Sequence, residues 1–202
     1  MSSPDPRRTA PSVQRNRDPI LDVLKRVLPG SGLVLEIASG SGEHVIHFAA
    51  ALTHLSFQPS DPDETARASI DAWAAGSGLG NVRPAIALDA AAVSWPIESA
   101  DAIVCINMIH ISPWSSTLGL MRGAARTLPT GGLLYLYGPY RRGGNHTSES
   151  NAAFDADLTA RDSAWGIRDL ETVAEIARVE GFSAPAIESM PANNLSVMLR
   201  RT

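Results

Sequence analysis

The chain has 202 residues, 44% of them hydrophobic, with a formal net charge of −4 and a single cysteine. That length and apolar content fit one soluble domain with a sizeable core and exclude a disordered chain. The acidic balance offers no broad basic surface for nucleic acid, no apolar run is long enough to span a membrane, and the lone Cys105 excludes an internal disulfide.

Residues 1–14 are polar and rich in Pro and Ser and read as a mobile N-terminal tail, leaving 15–202 as a single domain. They lack the apolar segment of a secretory signal, and Cys105 lies inside an apolar run, so a cytoplasmic protein is expected. Asp18-Pro19 is a helix start, with Ile20, Leu21, Leu24, Val27 and Leu28 at helical spacing and Pro29-Gly30 as the stop. Leu33 to Ile37 is a short apolar run that reads as a buried strand. Ala38-Ser39-Gly40-Ser41-Gly42 follows, and then a helix with Val45, Phe48, Ala49 and Leu52 on one face. Strand, glycine turn and helix N-terminus together present free N–H groups to a ligand. A dinucleotide fingerprint requires a third glycine where Val45 stands, which weakens an NAD reading. His44 and His47 lie three apart without a third ligand nearby, so no metal is expected. His44, beside the turn, is instead a possible ligand contact.

Leu55 to Asp61 reads as a second strand, irregular at Pro59, with Asp61 where an acid accepts hydrogen bonds from ribose hydroxyls. A helix from Glu64 to Ala75 and a third strand from Val82 to Leu88, ending at Asp89, come next. Ala102 to Ile106 is continuously apolar, as central parallel strands are, and leads into Asn107 and His110. Ligands of open α/β sheets bind beyond the carboxyl ends of strands, so both residues fall on the ligand edge. His110 is the first candidate for a general base, followed by Tyr140 and His146. Leu118, Met121, Ala125 and Leu128 mark a helix, Leu133 to Tyr137 a strong strand, and 141–168 a polar insertion suited to a lid. Asp169 starts the next helix. Ala184 to Ser189 and Leu195 to Leu199 form a closing strand pair across Met190-Pro191-Ala192-Asn193-Asn194.

Glu36-Ile37-Ala38-Ser39-Gly40-Ser41-Gly42 resembles the first motif of class I S-adenosylmethionine (SAM) methyltransferases, E/D-x-G-x-G-x-G, with Ala38 at the first glycine. The wider chain, from residue 15 to residue 201, resembles a domain-of-unknown-function branch of that class, bacterial proteins related to methyltransferase-like protein 26. The resemblance is carried by Arg15-Asn16, Leu35 to Gly42, Gln58 to Asp63, Cys105 to Trp114 and Tyr135 to Tyr140. It continues in Ser150 to Asp155, Trp165 to Glu171 and Met190 to Asn194.

The resemblance implies an α/β, Rossmann-like class I methyltransferase fold. Its sheet would be seven-stranded and mostly parallel, with a C-terminal antiparallel hairpin and an inserted lid segment after strand five. It implies SAM as cofactor and S-adenosylhomocysteine as product. Glu36, Ala38, Ser39, Gly40 and Gly42 would shape the methionine side, Asp61 the ribose and Asp89 the adenine, with Asn107 beside them. The N/D-P-P-Y/F signature of base and glutamine methylation is missing, and no acceptor comes with the resemblance. A small, anionic molecule is the expected methyl acceptor, because guanidinium groups pair bidentately with carboxylates. Arg15, Trp114, Tyr140, Arg141, Asn151, Trp165, Arg168 and Asn193 are its candidate contacts. The rival expectation is a catalytically silent SAM or nucleotide binder that acts through a protein partner.

Overall fold

A computed structural model of the chain describes residues 5–202. Its strands are β1 (Gly32–Ile37), β2 (Leu55–Pro59), β3 (Ala102–Ile106), β4 (Leu133–Pro139), β5 (Arg141–Arg142), β6 (Asn145–His146), β7 (Ala186–Met190) and β8 (Asn194–Arg200). Its α-helices are α1 (Pro11–Val27), α2 (Glu43–Ala51), α3 (Glu64–Ser77), α4 (Trp114–Thr127), α5 (Glu149–Arg161) and α6 (Leu170–Val179). The main sheet has the order β2-β1-β3-β4-β8-β7. The first four strands run parallel, and β8 is antiparallel to both β4 and β7.

Both faces of this sheet are covered, so its central strands carry apolar residues at every position rather than at alternate ones. Leu35, Ile37, Ile103, Cys105, Leu134 and Leu136 pack toward α4 and α6. Val34, Val104, Leu133, Tyr135 and Tyr137 pack toward α1 and α2. No described helix is long and apolar enough to cross a membrane.

Among the described residues the main sheet has six strands, not the expected seven. The segment predicted as a third strand, Val82 to Leu88, runs beside β2 but makes only two isolated parallel bridges, Phe57 to Val82 and Ser60 to Ile86. Pro59 accounts for this, because in the Phe57–Val82 register its nitrogen faces the Arg83 carbonyl and has no N–H to give to the ladder. The bonds that do form are Phe57 N to Asn81 O, Arg83 N to Phe57 O, Ile86 N to Pro59 O and Asp61 N to Ile86 O. The register therefore slips by one residue across Pro59. The Ala85 amide turns away to Asp71 Oδ1 at 2.8 Å, and the Gln58 side chain donates to the Pro84 carbonyl at 2.7 Å.

The N-terminal region also departs from expectation. Helix α1 starts at Pro11 rather than at Asp18, and Pro19 lies inside it. Pro11 at the first helical position is as good a start as Pro19. The longer helix brings Val13, Asn16, Ile20, Val23 and Leu24 onto one buried stripe, which offsets the hydrogen bond that Pro19 removes. Ahead of it, the Arg8 amide donates to Ser69 Oγ at 2.8 Å, and Trp73 Nε1 donates to the Arg8 carbonyl at 2.9 Å. The Ala10 amide donates to Glu43 Oε2 at 2.7 Å. Residues 5–14 are thus fastened to α2 and α3 and are not a mobile tail; residues 1–4 lie outside the described residues.

Candidate active site

The carboxyl ends of β1, β2 and β3 converge on the glycine turn. The Ser39 amide donates to the Ser60 carbonyl at 2.9 Å, and Ser60 Oγ donates to the Glu36 carbonyl at 2.7 Å, locking the ends of β1 and β2 together. The Gly40 amide donates to Asp61 Oδ2 at 3.0 Å, and the Asp63 amide donates to Asp61 Oδ1 at 3.0 Å. Gly40 has φ +59° and Gly42 φ +91°, both left-handed. A Cβ on Gly42 would lie 2.8 Å from Ile70 Cα, so this glycine lets α3 press against the turn. Glu36 lies beneath the turn, buried, with Oε2 making no hydrogen bond. Burial, and secondarily the Asp61 carboxylate, push Glu36 up to about 8, while a hydrogen bond with Ser39 works in the opposite direction.

Two cavities open on this edge. The smaller, of 180 Å³, is lined by Ala38, Asp61, Leu88, Asp89, Met108 and Ser116 among others. The larger, of 610 Å³, is lined by Arg15, Asn16, Asn107, Tyr137, Asn151 and Phe154 among others. Ile111 lines both, so the two adjoin. The inserted segment after β4 supplies one wall of the larger cavity through α5, and the N-terminal half of α1 supplies another.

Of the residues singled out in the sequence, Ala38, Asp61 and Asp89 line the smaller cavity, with Glu36, Ser39, Gly40 and Gly42 building the turn beside it. Arg15 and Asn151 line the larger one. Asn107 also lines the larger cavity, whereas the sequence put it with the cofactor; its φ of +60° turns it aside at the end of β3.

The three candidate bases lie elsewhere. His110 is 0% exposed, its ring packed edge-on against Tyr140 with centroids 5.0 Å apart. Its Nδ1 accepts from the Arg168 amide at 3.4 Å, its Nε2 has no partner, and it lines neither cavity. Burial, aided by the Arg168 charge, holds it down at about 3, so it is a neutral core imidazole. Tyr140 is equally enclosed, with burial driving its hydroxyl well above the ordinary phenol range. His146 turns its Nε2 to the Asp155 carboxylate at 3.2 Å and fastens the β5–β6 hairpin to α5.

Several expected acceptor contacts are structural too. Arg168 donates from Nε to the Ile109 carbonyl at 2.8 Å, and from Nη2 to the carbonyls of Ser112 at 2.7 Å and Ala164 at 2.9 Å. It caps the turn after β3 and stacks over Trp114 with its guanidinium carbon 5.5 Å from the ring centroid. Arg141 pairs its backbone with Arg168. Asn193 accepts from Asn151 through its carbonyl. Like Trp114 and Trp165, neither of these two lines either of the two cavities. His44, too, faces away from both cavities, bonded through Nε2 to Asn16 Oδ1 at 2.9 Å, and burial holds it down at about 4.

Sequence reading passed over Tyr137, Phe154 and Asn194 as ligand contacts, and it gave Asn16 no role. Tyr137 sits within an unbroken apolar strand, and nothing there signals that its ring ends at a cavity. For Asn16 a signal existed: it stands between Arg15 and Arg17 on a helix whose stripe is otherwise apolar.

The model of a family described as "Protein of unknown function (DUF938)" matches residues 7–201. Among solved structures, the fold is similar to that of the S-adenosylmethionine-dependent methyltransferase SibL in its apo form. The TM-score is 0.76 at 20% identity, over 94% of this chain and 55% of that one. It is similar to an O-methyltransferase family protein from Burkholderia thailandensis, with a TM-score of 0.79 at 16% identity over 95% of this chain and 57% of that one. It is also similar to human N-acetylserotonin methyltransferase in complex with SAM, with a TM-score of 0.75 at 13% identity over 94% and 52%. The fold is thus shared with these methyltransferases, and the chain spans about half the length of these structural relatives.

Proposed function

The chain belongs to the DUF938 family, and we propose that it is a SAM-dependent methyltransferase acting on a small molecule. The observation that carries this reading is the meeting of two unlike cavities at Ile111, on the carboxyl edge of the parallel strands.

The residues present fit the cofactor. Asp61 spends one lone pair of each oxygen on backbone N–H groups and keeps others for ribose hydroxyls. Asp89 stands at the rim of the same cavity, where an acid accepts from an exocyclic amine. The buried carboxyl of Glu36, its Oε2 without a partner, lies under the glycine turn, where a cationic amino end would favour its ionised form. At 180 Å³ the smaller cavity falls short of the roughly 300–1,000 Å³ of whole-ligand pockets. It suits the adenosyl part, with the remainder running past Ala38 toward the larger cavity.

Bound SAM supplies a methyl group on a sulfonium, which is already an activated leaving centre. What the chain contributes is then position and the exclusion of water. Among the described residues lining the larger cavity, the titratable side chains are Arg15 and Tyr137. Burial raises Tyr137 and keeps its phenol protonated, and a guanidinium has no acceptor atom, so neither serves as a base. The acceptor atom must therefore react without handing a proton to a lining side chain.

Calorimetric titration with SAM, S-adenosylhomocysteine and NAD tests the cofactor. Transfer of a labelled methyl group from SAM to a pool of small acceptors tests the reaction. Binding of the first two ligands but not of NAD, with label appearing in acceptors, supports the reading. Binding of NAD alone, or of none, overturns it. Cofactor binding with no transfer to any acceptor leaves a silent binder.

A further inference from the structure

Besides Ser12, Asn107, Tyr137 and Ser150, whose groups can act in either sense, the larger cavity carries polar side chains of opposite hydrogen-bonding sense on two walls. On the α1 wall stand Arg15 and Asn16. Arg15 is exposed and forms no ion pair among the described residues, so its guanidinium is free. Asn16 is buried, and its Oδ1 is taken by His44 Nε2. An amide oxygen only accepts, so the His44 Nε2 facing it carries the proton, and Asn16 is left with Nδ2, which also serves the Tyr137 hydroxyl on the cavity lining. This wall donates.

The opposite wall, from α5 and the turn before β8, accepts. Asn151 Nδ2 donates to Thr147 Oγ1 at 3.0 Å and to the Asn193 carbonyl at 3.1 Å. Asn194 Nδ2 donates to the carbonyls of Pro191 at 3.0 Å and Ala192 at 3.3 Å. A backbone carbonyl only accepts, so both amides are locked with Oδ1 free on residues that line the cavity. Between the walls lie apolar surfaces of Ile111, Pro139 and Phe154.

We propose that this cavity binds an amino-acid-like molecule. Its carboxylate faces Arg15 and Asn16, an N–H donor faces Asn151 and Asn194, and an apolar body lies over Phe154 and Ile111. Naming this molecule the methyl acceptor rests on the methyltransferase reading; the binding site itself does not. The amino-acid end of SAM has the same chemistry and is the other source to distinguish. The accepting wall stands on the β4–β8 side of the sheet, away from the glycine turn, and that favours a separate molecule.

The test uses the whole chain and a matched set of probes: N-acetylphenylalanine, its methyl ester, 3-phenylpropionate and N-phenethylacetamide. S-adenosylhomocysteine is titrated first, and the probes are then measured on the saturated protein by calorimetry and saturation-transfer NMR. N-acetylphenylalanine should bind. Loss of its charge in the ester, or of its N–H in 3-phenylpropionate, should each weaken binding about tenfold, the scale of one hydrogen-bonded contact. Arg15→Gln should weaken N-acetylphenylalanine but leave its ester and S-adenosylhomocysteine unchanged. Equal binding of all probes, binding of none, or mutual displacement of probe and S-adenosylhomocysteine overturns the proposal. Loss of S-adenosylhomocysteine affinity in Arg15→Gln overturns it as well. Selective probe binding without any S-adenosylhomocysteine binding refutes the methyltransferase reading and leaves the site.

Discussion

The Gly40 amide and the Asp61 carboxylate are joined at 3.0 Å, so the acid that ends β2 holds the turn that follows β1. One side chain thereby shapes the cradle and lines the smaller cavity. Asp61→Asn keeps the size but loses the charge that strengthens bonds to the Gly40 and Asp63 amides, and Asp61→Ala removes both bonds. Asp61→Ala should lower the affinity for S-adenosylhomocysteine by at least about tenfold and cost about 1–3 kcal/mol of stability. Calorimetry and urea titration read the two effects separately. Unchanged affinity would show that the turn holds its shape without the acid.

The two glycines of the turn should respond differently to alanine. Gly40 has open space around it, with only the Ala38 carbonyl 4.0 Å away, so Gly40→Ala carries the left-handed backbone penalty of about 1–2 kcal/mol. At Gly42 the added methyl meets the backbone of α3 as well, and Gly42→Ala should cost more than twice as much. Urea midpoints of the two variants test the order.

Buried groups of opposite sign set the pH dependence of stability. Glu36 is raised from 4.5 to about 8, so the folded chain holds a proton that the unfolded chain releases. Its stabilising share is complete below the unfolded value and is lost as pH rises toward 8. His110, lowered to about 3, and His44, lowered to about 4, work the other way. They cost nothing above 6.5, and stability falls as pH drops through the window below it. Melting temperature should therefore peak near neutrality. Glu36→Gln should flatten the alkaline side and steepen the fall between pH 6.5 and 4.5, and His110→Asn should flatten the acid side alone. A melting curve series from pH 4 to pH 9 would expose the reverse if either group were exposed.

Arg168 should behave as a brace and not as a ligand contact. Its guanidinium satisfies three carbonyls from two segments, and Arg168→Met leaves those carbonyls without it. A loss of about 3 kcal/mol is expected, with S-adenosylhomocysteine affinity kept in the folded fraction. Arg168→Lys should recover only part of it, since one ammonium cannot reach all three. Chemical denaturation with and without S-adenosylhomocysteine separates stability from binding.

The parts legible in the sequence were those where backbone geometry restricts residue choice. The apolar run into Gly40 and Gly42 admits few structures, and Asp61 at a strand end has few uses besides holding a turn or a ligand. His110 and Arg168 were misread for a physical reason. Imidazole and guanidinium groups serve a catalytic edge and a buried carbonyl cluster equally well, and only the packing of Tyr140 and the turn after β3 distinguishes them. Asn16 stayed hidden because Pro19 looked like a helix start, which put the residue in a loop instead of on a buried stripe. The walls of the larger cavity come from α1, α5 and the turn before β8, segments far apart in the chain whose meeting no local pattern encodes.

The stagger beside Pro59 has an effect that reaches past the edge of the sheet. Side chains of an extended segment alternate between faces, so a one-residue stagger exchanges inside for outside from that point on. Val82 and Ala85 pack with the α1 and α2 side, whereas Ile86 and Leu88 pack with the α4 and α6 side. In the register set by Phe57 and Val82, Leu88 would fall on the α1 and α2 face. The stagger beside Pro59 instead sets Leu88 in the lining of the smaller cavity, with Asp89 next to it, so a backbone position that does not line the cavity selects the residues that do.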